Sequence, residues 1–208
     1  SELEVKVKIE NQTGHKLPTG IPFRRMWVHL TVKDKSGKTV FESGGYDTEG
    51  KIKGTEENYE NHYSEITNSN QVQIYEAVMV DSKGKSTLSL LKADKYIKDN
   101  RIPPTGFTTK HPSYDTTAIF GSAKDDTDFN KDAKGNEGSG SDIITYRIKN
   151  VSGGEFTVEA EVLYQSINPS MIDYFKKFES QSISMFITAY KNSDVKPVVM
   201  KALKLASK

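Results

Sequence analysis

The chain has 208 residues, 29 Lys plus Arg against 28 Asp plus Glu, and no cysteine. That balance leaves no basic excess for a nucleic-acid footprint. The lack of cysteine removes disulfides, thiol nucleophiles and cysteine-zinc sites, and with C-x-x-C-H missing it removes covalent haem attachment within this chain. A hydrophobic fraction of 35% and a charged fraction of 27% describe a polar, loop-rich globular chain, and no apolar run approaches the roughly 18 residues that span a membrane.

The first segment, LEVKVKIE, alternates: Leu3, Val5, Val7 and Ile9 face one way and Glu4, Lys6, Lys8 and Glu10 the other, the period of a strand with one wet face. A loop, NQTGHKLPTGIPF, follows. RMWVHLTVKD alternates again, with Met26, Val28, Leu30 and Val32 as its core face, and turns back through Ser36-Gly37 into a hairpin. Trp27 and His29 share the opposite face, which implies that an excursion or a partner covers it. Residues 44 to 70 form a long polar excursion. QVQIYEAVMVD, the turn SKGK and STLSLLKA read as a second hairpin. Residues 94 to 141 form another excursion, where Pro103-Pro104 and Gly106 oppose a regular element. DIITYRIKN, a turn at 151–154 and EFTVEAEVLYQ read as a third hairpin. NPSMIDYFKKFES is a helix near 169–180, with Asn168 as cap, Pro169 at the first position and Met171, Tyr174, Phe175 and Phe178 as its stripe. Ser182 to Tyr190 is either strand or helix, and the end, around Pro197, is extended. The sum is one mainly β domain over 1–208, an antiparallel, Ig-like β-sandwich with long loop excursions and one helix.

Two constellations carry candidate chemistry. In the opening loop, Gly14, Pro18 and Gly20 flank His15 and can hold its imidazole in a defined pose, as a metal or haem iron requires. The plainer reading is a turn histidine that bonds its own loop. Arg24 and Arg25 follow, pointing to opposite sides of a strand, and either could clamp a carboxylate. The second constellation is DDTDFNKDAKGNEGSGSD. Asp126, Asp128, Asn130, Asp132 and Glu137 stand at positions 1, 3, 5, 7 and 12 of a calcium loop. Lys131 stands where such a loop needs glycine, and a solvated loop is the plainer alternative. The histidines His15, His29, His62 and His111 follow no zinc spacing, and a metal enzyme would need at least three of them to converge.

The segments TGHKLPTGIPFRRMWVHLTVKDKSGKTVFESG, VQIYEAVMVDSKG, LLKADKYIKDNRIPPTGF, GSDIITYRI and VEAEVLYQ together resemble the non-haem, usually C-terminal β-domain of bacterial multihaem c-type cytochromes. The resemblance covers about residues 5 to 170. It implies a longer polypeptide, exported to the periplasm or beyond, whose N-terminal part carries the C-x-x-C-H sites and binds haem c. It implies no catalytic machinery in this chain, which would pack on that haem-bearing part and meet a redox partner protein. His15 becomes a candidate haem ligand, and Arg24, Arg25 and Arg101 become candidate contacts to haem propionates. The alternative is a calcium- or carbohydrate-binding β-sandwich using the acidic loop and Tyr46, Tyr59, Tyr63 and Tyr114.

Overall fold

The computed structural model describes residues 2–55, 59–151 and 154–206. In chain order these form β1 (Glu2–Glu10), β2 (Arg25–Lys33), β3 (Thr39–Ser43), β4 (Glu65–Ile66), β5 (Ile74–Tyr75), β6 (Ala77–Val80), β7 (Ser86–Thr87), β8 (Lys95–Asp99), α1 (Tyr114–Thr117), β9 (Ser141–Lys149), β10 (Thr157–Gln165), α2 (Pro169–Phe175), α3 (Gln181–Lys191) and β11 (Val198–Ala206). The fold is mainly β. One sheet has the order β1-β9-β4, a second β11-β10-β2-β3 with β5 also on β2, and a third β7-β6-β8. All pairs are antiparallel except β4 with β9.

Strand alternation sorts the residues as expected. The main core takes Ile9 from β1, Met26, Val28, Leu30 and Val32 from β2, Ile144, Tyr146 and Ile148 from β9, and Val158 from β10. The first two sheets therefore share one core, where Phe41 meets Tyr146 edge to face with centroids 6.3 Å apart. A second cluster lies on the other face of β2. Trp27, fully buried, packs with Ile52, Val72, Ile74 and Leu163, and its indole N–H donates to the Gly44 carbonyl at 2.8 Å. The excursion after β3 thus covers the face that Trp27 occupies.

The structure departs from two expectations of the sequence. β9 and β10 do not form a hairpin. β9 pairs along nine residues with β1, and β10 along nine residues with β2, so the chain between them crosses from one sheet to the other; Ser152 and Gly153 of the expected turn lie outside the described residues. Alternation reports which face a strand buries, not which strand it pairs with. The helix expected near 169–180 stops at Phe175. Asn168 caps it, accepting from Met171 N at 2.9 Å with Pro169 in the first turn, and Ser180 then caps a separate helix, α3, accepting from Ile183 N at 3.2 Å.

One local motif recurs four times. In DKSGK, DTEGK, DSKGK and DAKGN, the aspartate (Asp34, Asp47, Asp81, Asp132) accepts from the backbone N–H two and four residues on. The glycine in each has φ between +75° and +83°, a region that L side chains resist. These bonds hold three carboxyls below the ordinary aspartate range. The Ser36 hydroxyl leads at Asp34, the Lys85 N–H at Asp81 and the Asn136 amide at Asp132.

The larger sheet overhangs the smaller one. Leu203 and Leu205 pair opposite Ala160 and Val158 and so face the core side, yet they are 61% and 68% exposed. Ile144 on β9 is fully buried. Ile144→Ala should therefore cost about 2–5 kcal/mol in chemical denaturation, while Leu203→Ala, on the same side of its sheet, should stay within about 0.5 kcal/mol of the parent. Equal losses would show that β11 is packed against something in solution.

Candidate functional site

The opening loop is fixed by its own polar residues. Asn11, 2% exposed, donates through Nδ2 to the carbonyls of His15 at 2.6 Å and Ile102 at 2.8 Å, while its Oδ1 accepts from Thr13 N at 2.9 Å. Leu17 and Ile102 exchange backbone hydrogen bonds at 2.9 and 2.8 Å. The two motifs TGHKLPTG and DNRIPPTGF thus form one substructure.

Asp99 at the end of β8 is its ionic centre. Its carboxylate, 2% exposed as a residue, accepts from Lys16 Nζ at 2.9 Å and from Arg101 Nε and Nη2 at 2.8 and 2.7 Å. Lys16 also donates to the Ala118 carbonyl at 2.9 Å, and Arg101 Nη1 to the Gly20 carbonyl at 3.1 Å. Burial pulls the Lys16 ammonium below the usual lysine range against the opposing pull of Asp99. At Arg101 burial acts the same way, but Asp99 outweighs it and the guanidinium is raised. Gly20 has φ +92°, and a Cβ there would lie 2.7 Å from the Arg24 guanidinium.

Within this frame the candidate residues differ. His15 is exposed, its carbonyl is pinned, and its ring has no hydrogen-bond or ion-pair partner among the described residues. Arg24 makes one long bond, from Nη1 to Thr19 O at 3.3 Å. Arg101 is committed to Asp99 and Gly20. Arg25 lies elsewhere, donating to Gln165 and to the Gly50 carbonyl.

The calcium-loop residues do not gather. Asp126 is 4% exposed and accepts from Asp128 N and Phe129 N as well as from His62. Asp128 Oδ1 accepts from Ile143 N at 3.1 Å. Asn130, at φ +56°, bonds Phe107 O and Gly140 N. Asp132 holds its own turn, as Asp34, Asp47 and Asp81 do, and Glu137 accepts from Thr108 and Thr109. Among the described residues, one group of His and acidic side chains is close enough to hold a cation, and it is His62, Asp126 and Asp142. Nor do the four histidines converge: His29 bonds Glu161 and Glu42, His111 accepts from Ser113 N, and His62 is buried.

The buried group is a proton-bearing network. The orientation of Gln73 is set because its Oε1 accepts from Tyr63 N, and that of Asn100 because its Oδ1 accepts from Glu76 N. Both therefore turn NH₂ groups to His62 Nδ1, at 2.8 and 3.1 Å. Nδ1 accepts, so Nε2 carries the proton and donates to Asp126 at 3.0 Å. A metal at Nε2 would require that proton to leave while Nδ1 still faced two donors, and the imidazole is not set up for it. Asp142, fully buried, accepts through Oδ2 from Tyr75 OH at 2.6 Å and from Gln73 at 3.1 Å, while its Oδ1 has no partner acting as donor. Burial pushes Asp142 up to about 6, against His62 and the Tyr75 hydroxyl and with Asp126 and Asp128 adding to it. The raised value favours a proton on Asp142, and the neighbouring Asp128 carboxyl interacts with it. Burial also pushes Asp126 up, but the bond from His62 and the N–H groups of Asp128 and Phe129 outweigh it and bring it to about 2. The sequence hid this site because its members are tens of residues apart.

No protein-family model matches the chain, and no curated protein matches it. Among solved structures it matches a penta-heme cytochrome c552 from Thermochromatium tepidum with a TM-score of 0.54 and 17% identity, over 99% of this chain and 36% of that one. The likeness is one of fold, and the chain spans about a third of the cytochrome's length. It agrees with the resemblance carried by the two loop motifs: the whole chain resembles part of a multihaem cytochrome, and having no cysteine it attaches no haem covalently itself.

The buried network has a pH signature. Asp142 holds its proton to about 6 in the fold against an ordinary value of 3.8, so its contribution to stability is whole below about pH 4 and is lost as the pH rises through 6. Asp126, lowered to about 2, contributes above about pH 4 and loses that as the pH falls through 2. Denaturation should show stability falling by about 1–3 kcal/mol between pH 4.5 and 7.5, and Asp142→Asn should flatten that slope. An unchanged slope in the variant would assign it to another group.

Proposed function

We propose that residues 1–208 are one non-catalytic β-domain of a longer multihaem c-type cytochrome, held in the periplasm or outside the cell. It packs on the haem-bearing part, shields it, and offers His15 to a haem iron. The observation that carries this reading is the contrast at His15: a backbone pinned by Asn11 beneath an exposed ring that has no partner among the described residues. A histidine that served only its own loop would bond that loop through its ring. Here Asn11, Thr13 and Asp99 do that work. The fold likeness to part of a penta-heme cytochrome supplies the context.

The arginine that this reading places at a haem propionate is Arg24, which shares the loop with His15. Arg101 shapes the loop through Asp99 and Gly20, and Arg25 opens onto a different surface. A redox partner protein would meet the assembled cytochrome. We read the two larger sheets as a sandwich; the third small sheet and the covering excursions set it apart from a plain immunoglobulin layering. The calcium- or carbohydrate-binding alternative has less support, since the five calcium candidates bond different segments. Its tyrosines also serve elsewhere: Tyr46 packs on Trp27, Tyr63 on the main core, and Tyr114 on Phe107.

Axial ligands set haem potential and spectrum, so His15→Ala in the haem-bearing polypeptide should change the absorption and reduction potential of one haem. The same substitution in the isolated chain should leave its stability within about 0.5 kcal/mol, as expected for an exposed, unpartnered side chain. Unaltered haem spectra and potentials would end the ligand role.

A further inference from the structure

Hairpin β6–β7, the start of α2 and the side chains of Lys51, Ile52, Thr55 and Tyr59 line a cleft of about 680 Å³, within the range of small-molecule sites. Arg25, the first residue of β2, lies in its wall. Its Nε donates to Gln165 Oε1 at 2.9 Å and its Nη2 to the Gly50 carbonyl at 3.2 Å, both neutral acceptors, and its guanidinium sits 5.4 Å from the Trp27 ring. Nη1 has no partner among the described residues. The side chain is therefore fixed in place with one donor edge uncommitted.

Among the described residues, the cleft wall carries five cations, Arg25, Lys51, Lys85, Lys92 and Lys177, against four carboxylates, Glu60, Glu76, Asp81 and Asp173. Glu76, 8% exposed, is the acidic group nearest Arg25 in effect, but its Oε1 already accepts from Lys98 Nζ at 3.0 Å, and Lys98 is 2% exposed. Glu76 is thus paired with Lys98 and acts on Arg25 only at longer range. The other acidic wall residues are engaged. Asp81 holds the backbone of its own turn, Asp173 accepts from Lys176 at 2.8 Å, and Glu60 accepts from Tyr63 OH. Lys85, Lys92 and Lys177 line the rim with no ion pair among the described residues. Burial also pulls the Arg25 guanidinium below its usual range, a strain that a nearby anion would relieve.

We propose that this cleft binds a small, multiply charged anion bearing carboxylate or phosphoryl groups, with Arg25 as the anchoring guanidinium and Lys85, Lys92 and Lys177 as the rim charges. A guanidinium locked by two hydrogen bonds and stacked on an indole presents a planar donor edge suited to either oxyanion. Tyr59 and Tyr174 in the wall add neutral donors. The cleft belongs to this chain alone and does not depend on the haem-domain reading.

Isothermal titration of the 208-residue chain with citrate, and separately with pyrophosphate, tests the proposal and separates the two oxyanion classes. At least one should give a single saturable site that weakens severalfold as ionic strength rises. Arg25→Lys should weaken it tenfold or more. The double variant Lys85→Ser, Lys92→Ser should weaken it severalfold with an unchanged melting temperature. No saturable heat with either anion overturns the proposal, and so does full affinity in Arg25→Lys, which would place the anion on surface lysines elsewhere. If Arg25→Lys melts early, the rim variant decides, and undiminished affinity there overturns the proposal.

Discussion

The carboxylate of Asp99 is the point on which the candidate haem-facing surface depends. It is almost wholly buried and carries the charges of both Lys16 and Arg101. Through Lys16 it holds the loop that bears His15. Through Arg101 it reaches Gly20 in the same loop. Through its own backbone it exchanges hydrogen bonds with Phe120 at 3.0 and 3.1 Å. A buried ion pair is weak evidence for net stability, because desolvation offsets attraction, but removing one member leaves uncompensated charge. Here the loss would strand two cations at once. The clamp is best understood as a device that fixes geometry: it ties together three loops that also pack on the main core through Leu17, Ile102 and Ile119.

The excursions are organised in the same polar manner. The His62 network ties together residues 62–63, 73–76, 100, 126 and 142, which lie in five separate stretches of chain. Each amide in it has its orientation set by a backbone group, so the amides and the His62 ring have one arrangement rather than several. This explains how a chain with only 35% hydrophobic residues keeps long loops ordered. Apolar contacts build the sheets and anchor the excursions through Ile52, Ile102, Ile119 and Phe129, and hydrogen-bonded aspartate, asparagine and glutamine hold the rest of those loops.

What was legible in the sequence follows from this division. β1, the β2–β3 hairpin and the capped start of α2 carry local signals, namely alternation, a Ser-Gly turn and an Asn-Pro cap, and all three stand where those signals put them. The pairing of β9 and β10 was misread because partner choice is settled across the core. β8 was missed because its five residues adjoin Pro103-Pro104 and look like loop. His62 gave no signal at all, since its partners are distant in sequence. Asp132 looked like a calcium ligand, although the repeated D-x-x-G pattern at Asp34, Asp47 and Asp81 was present to show what it does. Arg101 lies in a motif specific enough to suggest a ligand contact, yet its guanidinium serves Asp99.

The central claim is that the two loop motifs form one rigid unit, held by Asp99, that displays His15. Amide hydrogen exchange in Asp99→Asn tests it most directly. The account predicts that residues 13–20 and 100–107 exchange faster together, as one cooperative unit, while β2, β9 and β10 keep the protection of the parent. Protection unchanged in both loops, or lost in one and retained in the other, would contradict it.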